Sequence, residues 1–306
     1  MVRKIALVGV GKIARDQHLP ALQASPDWEL AATVSRNNQI EGIEAHHDFE
    51  CFLADRPDID TVSLTMPPVP RFAHAQAALL AGRHVMLEKP PGASLAEVHE
   101  LQSLAAERGL TLYTTWHSRL AHAVAAARDW LSTRSVLCAH ITWREDVRQW
   151  HPGQDWVFDA GGMGVFDPGI NALSILTHIL PEPVHMTWAE LEFPANRAAP
   201  IAARLSFSGG ISAEFDWLQE GEPSWDMDFD IDDGQQMSLR HGGNELWIEG
   251  EKITGSDSIA GEYPALYARM AELVHRGESE VDLAPMRHVA DAFMLGRRIE
   301  VAPFHF

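Results

Sequence analysis

From the N-terminus to Thr115 the chain alternates short apolar runs with segments in which apolar residues recur every three or four positions. The runs are residues 4–10, 28–34, 61–65, 84–87 and 111–115. Their near-continuous hydrophobicity predicts strands buried on both faces. Between them, residues 72–81 and 95–108 have helical period, and each ends at a glycine, Gly82 or Gly109, the usual left-handed helix stop. Repeated strand–helix–strand units predict α/β structure with a doubly wound parallel sheet.

After Arg119 the pattern changes. A helix over 121–131 leads to a strand at 136–143, a glycine-rich stretch at 152–164 and a second helix at about 166–180. Residues 184–253 are strand-like, with hairpin signals at Gly209-Gly210 and Asp233-Gly234. In 225–232 the alternation is strict, with Trp225, Met227, Phe229 and Ile231 on one face and four aspartates on the other. Such a pattern belongs to an antiparallel sheet with one wet face. Helical patterns at 263–275 and 285–298 follow. The expected organisation is a first domain over 1–119 and an α+β domain with a largely antiparallel open sheet over 120–306, a C-terminal helix being free to pack back on the first.

At 306 residues the chain has length for two domains. Its formal net charge of −19 opposes a nucleic acid or anionic membrane partner, both of which need a basic footprint. The opening apolar stretch is short for a secretion signal, and no run has the length of a membrane span. Cys51 and Cys138 have no metal-type spacing, as expected of a reduced cytoplasmic protein. The 16 histidines form no metal motif, and His46-His47 read as a loop, so no metal is expected. Strand alternation at 225–232 cannot wrap a calcium ion.

The first apolar run breaks into Gly9-x-Gly11-x-x-Ala14. Gly9 suits a tight turn, Gly11 lets backbone approach a pyrophosphate, and Ala14 lets the next helix pack closely. The anion would sit on that helix's N-terminal amides. A later strand ends in Glu88-Lys89-Pro90, on the same functional edge of the sheet. These motifs, with Ala81-Gly82-Arg83-His84-Val85 and the Gly161-Gly162 loop before an Asp-bearing helix, resemble the Gfo/Idh/MocA oxidoreductase family along the whole chain. Within it, the strings GKIARDQHLP (11–20), MLEKPPG (86–92), TWHSR (115–119), WREDVRQWHPGQ (143–154) and GVFDPGINALS (164–174) resemble bacterial 1-dehydrogenases of L-arabinose and D-galactose. The resemblance implies a Rossmann domain, a nicotinamide cofactor and oxidation of an aldopyranose at C1 to the aldonolactone. A cyclic polyol substrate is the alternative within the enzyme class. A nucleotide-binding regulator without turnover is the alternative outside it, which would have no need of Lys89 and Asp167.

Oxidation at an anomeric carbon needs a base near O1, a cation or donor for developing negative charge, and polar groups on the ring hydroxyls. Lys89 stands at a strand end beside the nucleotide turn, although it could simply pair with Glu88. Asp167 and Asn171 lie one helical turn apart and share a face. Many family members carry a histidine where this chain has Asn171, which moves the base role to Asp167. Asp167-Pro168 also reads as an N-cap followed by proline, but a cap does not explain Asn171. Lys89 is expected to hold O1 and to favour the ionised form of Asp167. His117, Glu145, Trp150, His151 and Trp225 join Lys89, Asp167 and Asn171 as substrate residues, the tryptophans offering planes to a pyranose. His151 could equally be a surface histidine, and Trp225 core.

Expected cofactor contacts are Gly9, Gly11, Lys12, Ile13, Ser35, Arg36, Met66, Pro67, Glu88 and Lys89. The second strand ends in Ser35-Arg36-Asn37 with no acid for the ribose hydroxyls, so NADP is expected over a tolerated NAD. The Lys89–Pro90 bond is expected to be cis. An exposed face of the C-terminal sheet makes a homo-oligomer plausible.

Overall fold

The computed structural model describes residues 2–256 and 261–306. It divides into two compact units. The first runs to Trp116 and takes in the later segment ending at Asp282; the second begins at His117 and includes Leu283–Phe306.

The first unit is built on six parallel strands, β1 (Arg3–Val8), β2 (Trp28–Val34), β3 (Glu44–His46), β4 (Thr61–Leu64), β5 (His84–Leu87) and β6 (Leu112–Thr114), in the order 3-2-1-4-5-6. Helices cover both faces, which is why these strands carry no polar alternation. On one face, α2 (Phe49–Asp55), α3 (Pro68–Leu80) and α4 (Leu95–Arg108) bury Phe52, Leu79 and Leu101 against Val62, Leu64 and Val85. On the other, α1 (Leu19–Gln23) and helix Glu262–Arg276 bury Leu22, Tyr267 and Met270 against Ile5 and Met86. The helix after the glycine turn opens with a wide π turn over Ala14–His18. Pro20 lacks an N–H and its ring displaces the carbonyl four residues back, so the ladder widens there. α4 starts on a reciprocal cap between Ser94 and Glu97 and stops at Gly109 with φ 65°.

The second unit holds a nine-stranded sheet formed by β7 (Val136–Arg144), β8 (Met186–Pro194), β9 (Ala202–Phe207), β10 (Ile211–Asp216), β11 (Ser224–Ile231), β12 (Gln236–Arg240), β13 (Glu245–Ile248), β14 (Glu251–Gly255) and β15 (Arg297–Val301). Their order is 14-13-12-11-7-10-9-8-15, antiparallel except for β7 with β10 and β8 with β15. Its helices are α5 (Val124–Leu131), the single turn α6 (Val147–Trp150), α7 (Phe166–Ile179) and α9 (Ala284–Leu295), while α8 (Glu262–Arg276) belongs to the first unit. In β11, Met227, Phe229 and Ile231 are buried and Asp228 and Asp230 exposed. The one-wet-face pattern is therefore present, and both hairpins turn where the glycines stand.

Two expectations differ from the structure. His46 lies in β3, whose Glu44, Ala45 and His46 pair with Ala32, Thr33 and Val34, and not in a loop. Three residues at a sheet edge leave no periodic trace. The last helix ends at Leu295, and Arg297 and Arg298, expected in it, open β15 along β8. The alternating Ile299 and Val301 suit a strand once an edge is offered. α8 packs on the nucleotide sheet, so the first unit takes in a helix from beyond residue 119.

Candidate active site

In the first unit the chemistry-bearing residues collect at the carboxyl ends of β1, β2, β4 and β5. Gly9 has φ 95°, and a Cβ there would lie 2.7 Å from the Met66 backbone nitrogen, so glycine is required where the turns after β1 and β4 meet. Gly11 has nothing within 4 Å of where a Cβ would stand, which leaves open space beside its backbone for a pyrophosphate. The Asn38 amide donates to the Val10 carbonyl at 2.8 Å and fixes the loop after β2. That loop exposes Arg36 and half-buries Ser35, whose carbonyls both face His47 Nδ1 at 3.2 Å. Lys12 pairs with Asp16, and Ile13 and Pro67 are exposed. The residues present fit a dinucleotide.

Glu88 is buried and Lys89 half-buried, joined to Pro90 by a cis bond as expected. The Glu88 carboxylate accepts from the Tyr263 hydroxyl at 2.7 Å and faces His18 Nε2 at 3.5 Å. His18 Nδ1 meets the Tyr267 hydroxyl at 2.8 Å. Burial, and then the nearby Glu88 charge, holds the Tyr263 hydroxyl well above its ordinary pKa, so it stays a neutral donor.

In the second unit, α7 begins after Val165, so Asp167 is the second helical residue and is not its N-cap. Pro168 falls in the first turn, where a missing N–H costs nothing. The Asp167 carboxylate is thereby available to other partners. Its Oδ2 lies 3.1 Å from His151 Nε2, with the two side chains 8% and 21% exposed. His151 is not a plain surface histidine. Its other ring nitrogen faces the Gln154 amide oxygen at 3.4 Å, and the Trp217 ring lies edge-on at 5.2 Å between centroids.

Glu145 follows β7 and is buried. Its two oxygens accept from the indoles of Trp217, at 3.1 Å, and Trp225, at 2.9 Å. Burial pushes the Glu145 carboxyl above its usual range. The Trp217 indole, the His151 ring and the Trp225 indole pull it down, and Asp167 adds to the rise. Trp225 stacks with Trp143 at 6.1 Å and meets Trp150 at 5.5 Å with the planes tilted 51°. The Trp150 indole nitrogen is buried with no hydrogen-bond partner among the described residues.

Glu145, Trp150, His151, Asp167 and Trp225 thus come together. Asn171 is half-buried one turn beyond Asp167, and its backbone carbonyl accepts from the Ser174 hydroxyl at 2.7 Å. His117 opens a short turn beside Ser118, and Arg119 of that turn donates to the Ser174 carbonyl of α7 at 2.9 Å. Trp217, Gln154 and Tyr263 were not read from the sequence. Trp217 carries no local signal, because its partner Glu145 is brought by a different strand.

A six-stranded parallel sheet in this order, with a glycine turn at its switch point, defines a dinucleotide-binding domain. The chain belongs to the Gfo/Idh/MocA oxidoreductase family, whose NAD-binding Rossmann model matches residues 3–115. It is 40% identical to galactose 1-dehydrogenase of Pseudomonas fluorescens, over 99% of this chain and 98% of that protein. The solved D-galactose-1-dehydrogenase of Rhizobium etli is 52% identical and superposes with a TM-score of 0.93, covering 99% of this chain and 98% of that one. A variant of a 3-ketoreductase from Actinomadura kijaniata, solved with TDP-benzene and NADP, shares the fold at 20% identity and a TM-score of 0.85, covering 98% and 100%. Among the described residues, no helix is long and apolar enough to cross a membrane.

Proposed function

We propose that this oxidoreductase is an NAD(P)-dependent sugar 1-dehydrogenase that oxidises D-galactose and L-arabinose at C1 to the aldonolactone. The observation that carries the reading is the contact of the buried Asp167 with His151, with Glu145 fixed beside it by two indoles. Full-length similarity to two galactose 1-dehydrogenases supports the substrate class. A bound nicotinamide would supply the acceptor for the hydride leaving C1. Asp167 takes the proton from O1, directly or through water, Lys89 supports the negative charge developing on that oxygen, and Asn171 hydrogen-bonds without titrating. Glu145, His151 and His117 read the ring hydroxyls, and Trp150 and Trp225 supply planes. The two sugars share configuration at C2, C3 and C4. A site with buried groups matched to those hydroxyls loses about 1–3 kcal/mol when one is inverted. The Asp167–His151 contact also supports a variant of this mechanism, in which His151 accepts the proton and Asp167 orients its ring.

Gly9, Gly11, Lys12, Ile13, Met66, Pro67, Glu88 and Lys89 would line the cofactor, and Ser35 with Arg36 would favour the 2′-phosphate of NADP. The test is reduced-nicotinamide absorbance with D-galactose, L-arabinose, D-glucose and myo-inositol. Both of the first two should exceed D-glucose in kcat/KM by about tenfold or more. If D-glucose or myo-inositol outran them, the assignment would be refuted. Asp167→Asn should lower kcat by about 10²–10⁴. His151→Gln that keeps kcat within about tenfold of wild type would leave Asp167 as the base, whereas a loss as large as that of Asp167→Asn would favour the variant in which His151 accepts the proton and Asp167 orients its ring.

A further inference from the structure

Arg71 is a buried arginine on α3, 2% exposed, and has been given no chemical role above. Its guanidinium donates to three main-chain carbonyls: Glu88 and Pro90 through one terminal nitrogen, and Met66 through the other. Glu88 and Pro90 are the residues on either side of Lys89. Met66 is the residue whose backbone lies against Gly9. One rigid planar group therefore ties the backbone on both sides of the lysine to the turn that packs on the nucleotide-binding glycine.

The Glu88 side chain is held as well, by the Tyr263 hydroxyl and beside His18. The residue before Lys89 is thus fixed through both its carbonyl and its carboxylate. Burying a guanidinium is costly, and an aliphatic residue would pack the underside of a loop more cheaply. What an aliphatic residue cannot do is set three carbonyls from two loops at fixed positions. Lys89 has a long, flexible side chain, so the position of its ammonium depends on how firmly its own backbone is held.

We propose that Arg71 is a positioning residue for Lys89, holding the Glu88-Lys89-Pro90 turn so that the ammonium meets the reacting oxygen. This rests on the role given to Lys89 in the proposed function. The experiment is a double-mutant comparison in the full-length protein, with Arg71→Lys, Arg71→Met, Lys89→Met and each Arg71 variant combined with Lys89→Met. Arg71→Lys keeps a buried donor and reaches fewer carbonyls, so it decides the matter should Arg71→Met not fold. Expected are a fall in kcat for D-galactose of about tenfold or more and a sugar KM changed by less than about threefold. In the Lys89→Met background the same substitution should change the residual rate by less than about twofold, because its effect passes through the lysine. Wild-type kcat in Arg71→Lys beside a crippled Lys89→Met would overturn the inference and leave the role of Lys89 standing. An equal loss in both backgrounds would also overturn it, marking Arg71 as a general structural residue. Full turnover in Lys89→Met would instead remove the role of the lysine itself, and the inference with it.

Discussion

Glu145 is a carboxylate taken out of water and given two indole N–H donors in return. The exchange is incomplete, since burial outweighs the donors and raises its pKa above 4.5. A carboxyl that binds its proton more tightly when folded adds stability in acid, and this contribution is lost as pH rises from 4.5 through the raised folded value. Glu145→Gln removes the titration. It also turns one amide N–H toward an indole N–H, a lost acceptor worth about 1–3 kcal/mol at every pH. Urea unfolding of both proteins should therefore show the stability of wild type relative to Glu145→Gln declining as pH rises from 4.5 and levelling off above the folded pKa. A difference independent of pH would show that the carboxyl is not perturbed. The residue types of this cluster were legible from their strings, including Glu145, His151 and Asp167. Which nitrogen meets which oxygen was not, because Trp217 and Asp167 arrive from segments far along the chain.

At the scale of the element, α7 shows how a helix delivers a carboxylate. With Val165 before the first turn, Asp167 points its side chain away from capping and toward His151. Two residues on, Gly169 lies against β10, where a Cβ would come within 2.5 Å of the Phe215 ring. Phe215 is buried and meets the Phe166 ring edge-on at 5.9 Å, so it has little freedom to yield. Gly169→Ala gains about 1 kcal/mol of helix propensity and incurs about 1–3 kcal/mol of overpacking. The expected outcome is a lower melting temperature, with kcat reduced as Asp167 shifts. A variant as stable and active as wild type would mean that the helix has room to move. Long periodic segments such as α4 and the strand β11 were readable in advance, whereas β3 and β15 were not. Those two exist because a neighbour offers an unpaired edge, and pairing across a sheet leaves no mark on a five-residue string.

At the scale of the molecule, the cofactor reading can be tested without turnover. A ligand that binds only the folded chain stabilises it by about 2.7 kcal/mol at a hundred times its Kd. At equal concentration, NADP should therefore raise the melting temperature more than NAD does. Arg36→Ala should reduce the NADP shift and leave the NAD shift unchanged. A larger shift with NAD, or an NADP shift indifferent to Arg36→Ala, would remove the proposed preference. The second strand's Ser35-Arg36-Asn37 ending was visible in the sequence. The support given to it by His47 was hidden, because His47 reads as part of a loop and reaches Ser35 only through the pairing of β2 with β3.

The amino-acid sequence by itself determined the parallel nucleotide sheet, its glycine turn, the one-wet-face sheet that follows and the residue types of the site. These depend on periodicity, capping and turn chemistry, which act over a few neighbouring residues and so are written locally. Only the tertiary structure decided that α8 packs on the first unit, that His151 meets Asp167, and that Arg71 grips the carbonyls around Lys89. Each of these joins residues distant in the chain. Their energy comes from burial and hydrogen bonds that exist only once the sheets have assembled.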